Sequence, residues 1–362
     1  MAFPCPKCGK EFTRNCDLTR HLNRKTPCRS ENEIIQATTS QMSLIISGSD
    51  SPGPSGGTNL MPLFDIVRAE GIVGIDAVNH ISYFLMLKLI EPYLDSEEYL
   101  LDSENTNYPE IVNTFIQNRY HHWSNLARIA PEEQNLIYLI HNLFIALRSN
   151  EMLKQHFPIP STLKFNNTSN IVRRIISAIN EIDVSGETFG DVYEDMLGRQ
   201  MIGKDLGQFF TPYWIRKLVI GLINPQRQED GTIPLICDPA AGTAGFLSST
   251  IRHLKKQGEL KDVEKSIFGV EINQDTFSGG LKHLMITTKK HTPGFILGDS
   301  LRNPSEVRFD YIFSNPPFGL KGIKWEECPN IPVKINNGTA LFLQRIIQLL
   351  KVGGTAGNVF WR

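Results

Sequence analysis

Asn315-Pro316-Pro317-Phe318 follows an apolar run, FDYIFS, and carries the densest chemistry in the chain. The Asn315 side-chain oxygen and the Pro316 carbonyl can both accept a hydrogen bond from one exocyclic amine. Neither proline has an N–H to donate, and the stiff rings fix the two acceptors in place. Two acceptors around one nitrogen prepare its lone pair for attack without a strong base. Phe318 offers a face on which a planar base can stack, as a base flipped out of a duplex would.

A second constellation lies upstream. Asp238-Pro239-Ala240-Ala241-Gly242-Thr243-Ala244-Gly245-Phe246 follows one predicted strand and opens a predicted helix. That is where an open α/β sheet holds its ligand, outside the carboxyl ends of the strands. Gly242 and Gly245 allow close backbone approach, and the Asp238 carboxylate can meet an ammonium. The spacing is not GxGxxG and no Walker lysine follows, so phosphate binding is disfavoured. Glu271 closes the next apolar run, where an acid commonly holds ribose hydroxyls. Asp299, after the third run, either accepts from an adenine amine or caps a turn. Further upstream, GQFFTP (207–212) opens the helical segment WIRKLVIGLI, with Thr211 placed to cap it.

The elements that position these residues follow from apolar periodicity. Residues 235–239, 266–272, 295–299 and 309–317 read as buried strands. Residues 243–257, 274–290 and 339–351 read as the helices between them, and 358–361 as the start of a fifth strand. Alternation of this kind means βαβ units and a parallel sheet. Residues 62–185 carry helical spacing with few strand signals. Residues 31–61 end in SGSDSPGPSGGTN, the composition of a flexible linker. The expected organisation is therefore a metal module at 1–30, a linker at 31–61, a helical domain at 62–185 and a catalytic domain at 186–362.

The metal module rests on cysteine placement. Four of the six cysteines fall in the first 28 residues, which points to a metal and a reducing, cytoplasmic compartment rather than disulfides. Cys5, Cys8, His21 and Cys28 form the preferred ligand set, with Cys16 as an alternative for one position. A Cys-x2-Cys knuckle with a His on a following helix suits tetrahedral Zn2+. So short a module has too little core to fold without its metal. Seven basic and two acidic residues give the first 30 positions a local charge of +5. The basic face of the helix (Arg14, Arg20, Arg24, Lys25) can touch DNA phosphates.

Composition sets the outer limits. The chain has 362 residues, 41% hydrophobic and 21% charged, with a net charge of −1. That excludes a uniformly basic nucleic-acid binder but not a local basic patch. No apolar run is long enough to span a membrane.

The order GQFFTP, DPAAGTAGF, GVEIN, GDS, NPPFG resembles that of the N6-adenine DNA methyltransferases, most closely the modification subunit of type I restriction–modification systems. The N-terminal module resembles classical zinc fingers with Cys28 in place of a second His, and short fingers of this kind resemble those on proteins of large DNA viruses. The resemblance implies an α/β, Rossmann-like S-adenosylmethionine-dependent methyltransferase domain, C-terminally truncated, preceded by a helical domain and a small zinc finger. It implies methyl transfer from S-adenosylmethionine to the N6 of a flipped-out adenine in double-stranded DNA, with a specificity subunit as partner. Phe209, Phe210, Thr211 and Pro212 would line the methionine end of the cofactor, with Asp238 and Gly242 beneath it. Glu271 would hold the ribose and Asp299 the adenine amine. Asn315, Pro316, Pro317 and Phe318 would form the catalytic tetrad. The alternative is an inactive methylase remnant that acts through its finger as a DNA- or protein-binding module. Where this family usually has Cys and Gly, the chain has Ala241 and Ala244, both small enough for the loop to survive.

Overall fold

The computed structural model describes residues 3–5, 11–12, 19, 60–97, 99–101, 110–159, 162–165, 169–184, 193, 211–228, 230–318, 320 and 322–360. The chain divides into two compact units, Met1–Gly53 and Pro54–Arg362. In the first, β1 (Phe3–Pro4) pairs antiparallel with β2 (Glu11–Phe12), and Cys5 just after β1 is buried. The other proposed metal ligands, Cys8, His21 and Cys28, lie outside the described residues, as does the proposed linker up to Asn59.

The second unit begins with a helical layer: α1 (Met61–Arg68), α2 (Gly74–Ile90), α3 (Glu110–Gln117), α4 (Trp123–Ile129), α5 (Leu136–Leu147) and α6 (Ser169–Asn180). In α6, Ile171, Val172, Ile175, Ile176 and Ile179 recur at helical spacing and are all buried. Each contributes roughly 1.5–3 kcal/mol by leaving water. α2 is apolar on nearly every side and sits at the centre of the layer, as such a helix must. Its one lysine, Lys88, donates to the carbonyls of Ile179, Asn180 and Ile182 at 3.0, 2.7 and 2.6 Å. It thereby places a cation at the carboxyl end of α6.

The sheet follows: β3 (Ile236–Asp238), β4 (Ile267–Glu271), β5 (Phe295–Leu297), β6 (Phe309–Ser314) and β7 (Leu350–Asn358). Its order is β5-β4-β3-β6-β7, and every pairing is parallel. Helices α7 (Tyr213–Ile223), α8 (Gly245–Lys255) and α9 (Gln274–Thr288) bury one face, against Ile236, Ile267 and Phe313. Helix α10 (Gly338–Leu349) buries the other, against Cys237, Phe309 and Ile312. The alternation Ile236/Cys237 and Ile312/Phe313 between faces is the period-two pattern of a strand covered on both sides.

Helix α9 belongs to both cores. Phe277, Leu281 and Leu284 pack toward the sheet, while Met285 and Ile286 join the core of the helical layer. The helical layer is thus fastened to the sheet through a helix of the sheet itself, α2 lying against α9.

One strand differs from expectation. The fifth strand runs Leu350–Asn358, where sequence placed helix to 351 and strand only at 358–361. The segment KVGGTAGN is glycine-rich and poor in strand formers, so its pattern gave no strand signal. Tertiary contacts decide it. Leu350 pairs with Phe309 and Thr355 with Tyr311, so β7 carries extra residues in an irregularity between them. Lys351 Nζ also reaches both Asp310 oxygens, at 3.0 and 2.8 Å.

Candidate active site

In this sheet β3 continues to β4 on one side and pairs with β6 on the other, so the connection reverses direction between β3 and β6. A crevice opens outside the carboxyl ends of strands at such a point. Ser314, the last residue of β6, donates from Oγ to Asp238 Oδ1, the last residue of β3, at 2.7 Å. This bond ties together the two strand ends beside a cavity of about 290 Å3. Asp238, Gly242, Glu271, Asp299, Thr211, Asn315, Pro316, Pro317 and Phe318 all line it. Pro212 does not line the cavity, and Phe209 and Phe210 lie outside the described residues.

Asp238 is 2% exposed. Its Oδ1 also accepts from the Ala240 N–H at 3.0 Å. Burial nevertheless dominates and pushes its carboxyl up to about 7, against the pull of these two bonds. Glu271 is held by backbone: Oε2 accepts from Gly242 N–H at 2.9 Å and Oε1 from Asn273 N–H at 2.8 Å. Burial raises this carboxyl too, and outweighs the backbone bonds that pull it down.

The loop after β3 is shaped by left-handed backbone. Gly242 has φ +56° and Ala244 φ +60°. Ala244 therefore sits where glycine is favoured, at a cost of about 1 kcal/mol, and it is wholly buried under α8. Gly280 in α9 explains how close that helix comes. A Cβ there would lie 2.9 Å from the Gly242 carbonyl oxygen and 2.8 Å from Phe295. A glycine inside a helix costs about 1 kcal/mol relative to alanine, and here it lets α9 press the loop into place.

Asp299 makes the turn that sequence offered as one of two readings. Its Oδ1 accepts from the Leu301 and Arg302 N–H groups at 2.9 and 3.2 Å. Its Oδ2 accepts from Arg302 Nη1 at 2.7 Å, and Arg302 is tied in turn to Glu327. The structure therefore shows the turn cap, and Asp299 also lines the cavity.

Thr211 does not cap α7. The N-cap residue is Pro212, with no side-chain cap bond. The Thr211 hydroxyl instead accepts from Asn315 Nδ2 at 2.9 Å. A local reading finds the nearest helix start; the fold brings a residue 104 positions away closer than that.

Several cavity residues had no assigned part in the sequence reading. Arg216 is 1% exposed and donates from Nη1 to the Thr211 carbonyl at 2.9 Å. Burial lowers its guanidinium to about 9. Its signal was an Arg-Lys pair inside a mostly apolar helix. Ser314 was visible only as a polar end to an apolar strand. Leu301, Ile323 and Phe342 form an apolar wall, and nothing in the local pattern of the 320–337 segment marks it.

Residues 184–361 match the family model N-6 DNA Methylase, and residues 3–24 match the C2H2-type zinc finger model. The chain is 28% identical over 334 residues to the methylase subunit of the type I restriction enzyme EcoEI of Escherichia coli, covering 82% of this chain and 63% of that protein. It is 26% identical over 321 residues to the StySJI methylase subunit of Salmonella typhimurium, covering 83% and 57%. It therefore spans about three-fifths of the length of these relatives. Among solved structures, the type I methyltransferase subunit from Streptococcus thermophilus superposes with a TM-score of 0.56 at 15% identity, covering 90% of this chain and 73% of that one. A modification subunit of a putative type I restriction enzyme from Vibrio vulnificus gives 0.50 at 19%, covering 91% and 69%.

The fold is that of a Rossmann-like S-adenosylmethionine-dependent methyltransferase. Residues 184–361 are similar to the N-6 DNA methylases, and the chain as a whole is similar to the methylase subunits of type I restriction enzymes.

Proposed function

We propose that the chain transfers a methyl group from S-adenosylmethionine to the N6 of an adenine in double-stranded DNA, in company with a specificity subunit. The observation that carries this reading is the single cavity joining the Asp238–Glu271 side to Asn315–Phe318. The residues present fit the cofactor. Asp238 is a buried carboxylate that an ammonium would hold ionised. Each Glu271 oxygen accepts one backbone bond and has a second lone pair for a ribose hydroxyl. The apolar wall of Leu301, Ile323 and Phe342 suits an adenine ring, with Asp299 beside it.

The cofactor supplies an electrophilic methyl group on its sulfonium. The remaining work falls to the chain. Asn315 Oδ1 and the Pro316 carbonyl accept from the target amine and orient its lone pair. Pro316 and Pro317 offer no competing donor. Phe318 gives the base a face to stack on, with base–aromatic stacking contributing about 1–3 kcal/mol. Positioning and preorganised acceptors carry the step without a strong base.

For the N-terminal module, we propose Zn2+ held by Cys5, Cys8, His21 and Cys28, a donor set that suits tetrahedral zinc. The zinc-finger match over residues 3–24, which spans the first three ligands, supports it. The module's role would be contact with DNA phosphates.

The test is transfer of radiolabel from methyl-labelled S-adenosylmethionine, with duplex DNA and protein offered as acceptors, with and without a type I specificity subunit. Label recovered as N6-methyladenine is the expected result. Label in protein, or none in any mixture, overturns the reading.

A further inference from the structure

We infer that Thr211 is a positioning residue for the Asn315 carboxamide, and that Arg216 holds Thr211 where it can act. The inference rests on the methyl-transfer reading of the cavity.

A carboxamide can turn by 180° with almost no change in shape. The turn exchanges an acceptor for a donor at the point where the target amine must bind. With oxygen toward the amine, Asn315 accepts a hydrogen bond; with nitrogen there, two N–H groups face N–H groups. Once the amine donates to Oδ1, the Nδ2 hydrogens need an acceptor on the other side. In this structure Nδ2 donates to Thr211 Oγ at 2.9 Å. That bond turns the amide oxygen away from Thr211. It also polarises the carboxamide, because a bonded N–H makes the oxygen of the same amide a stronger acceptor.

Thr211 lies outside the sheet, so something must hold it over β6. Arg216 does this one helical turn on. Its Nη1 donates to the Thr211 carbonyl at 2.9 Å. The guanidinium lies against Gly245, where a Cβ would meet Nη1 at 2.4 Å. Gly245 is the first residue of α8, at the end of the loop that begins with Asp238. The line Gly245–Arg216–Thr211–Asn315 thus connects the loop proposed to hold the cofactor with the amide proposed to hold the target.

The experiment compares Thr211→Val, which keeps shape and loses the hydroxyl, with Thr211→Ser, which keeps the hydroxyl. Steady-state methylation, calorimetric cofactor binding and thermal melting are measured on the full chain in the complex that is active. Thr211→Val is expected to lower kcat about 10- to 100-fold. Cofactor Kd and KM for DNA should change by less than kcat does, and melting should stay close to the parent. Thr211→Ser should recover most of kcat. A valine variant with parental kcat overturns the inference. So does a loss confined to cofactor affinity, or a serine variant as impaired as valine. Should the valine variant melt early, the serine variant carries the test alone: parental folding with a kcat as low as that of valine overturns it. A parent chain that methylates no DNA in any mixture fails the functional reading itself, and this inference with it. An active parent whose valine variant is equally active fails the inference alone.

Discussion

The helical layer and the sheet both bury ionisable groups, and they do so with opposite consequences. In and against the helical layer the buried groups are histidines. His156 Nε2 lies 3.2 Å from His291 Nδ1, and the His291 N–H donates to Tyr99. His80 accepts from the Lys164 N–H at 3.0 Å. Burial lowers all of them, so each is neutral at pH 7 and serves as a packed, hydrogen-bonded ring. At the strand ends of the sheet the buried groups are carboxylates, Asp238 and Glu271, and burial raises them, while His283 of α9, packed on the sheet, is lowered like the other histidines. A neutral imidazole tolerates burial, whereas a buried carboxylate such as Asp238 asks for a cation. The contrast separates a region built for packing from one built for binding.

The contrast can be broken or sharpened by experiment. Asn315→Ala removes an acceptor at the reacting nitrogen and touches neither buried set. Methyl transfer should fall about 100- to 1000-fold, the scale of losing a preorganised polar group at a reacting centre, while calorimetric cofactor binding stays near parental. Normal methylation by this variant would remove Asn315 from the chemistry. Gly280→Ala tests the contact of α9 with the loop after β3. Its Cβ meets backbone and the Phe295 ring, so overpacking should cost about 1–3 kcal/mol of stability. Cofactor affinity should fall with it, because the strain lands on Gly242; unchanged melting and affinity would show that α9 does not press the loop.

Asp238 provides a pH test. An ammonium binds the ionised form, so cofactor affinity should rise as pH goes from about 6 to 8, by roughly tenfold, and level off above. Asp238→Asn should bind weakly with a flat profile. A parent profile equally flat would mean that Asp238 does not meet a cation. The carboxyl and the histidines also act on stability with opposite signs. A raised carboxyl means that the folded state holds the proton more tightly, so Asp238 favours folding at acid pH and less as pH rises toward 7. A lowered histidine means that the unfolded state takes the proton, so the histidines lose stability as pH falls through about 6.5. Histidines outnumber Asp238 and its neighbour, so melting temperature should drop by a few degrees between pH 6.5 and 5.5. A rise over that interval would show that the carboxylates outweigh the histidines.

Most of the site was legible before any fold was known. Asp238, Glu271, Asp299 and Asn315 each end an apolar run, and a strand end is a local feature that spacing reveals. Strands β3, β4, β5 and β6 were legible for the same reason. Strand β7 was not, since its residues are chosen for fit against β6 and α7 rather than for strand preference. A Cβ on Gly357 would meet Val219 at 2.6 Å. The partners of the site residues were not legible either. Thr211 reads as a helix cap, and Arg216 as an ordinary arginine in a mostly apolar helix.

What the amino-acid order determined by itself was the set of chemical groups and the elements that end in them. Apolar periodicity and the residue that closes each run depend only on near neighbours. What the tertiary structure alone decided was which of those ends meet. Asp238 reaches Ser314 across 76 positions and Asn315 reaches Thr211 across 104. Such contacts come from strand order and from helices packed over the sheet, and these are settled by the burial of whole faces. No short stretch of sequence contains that information.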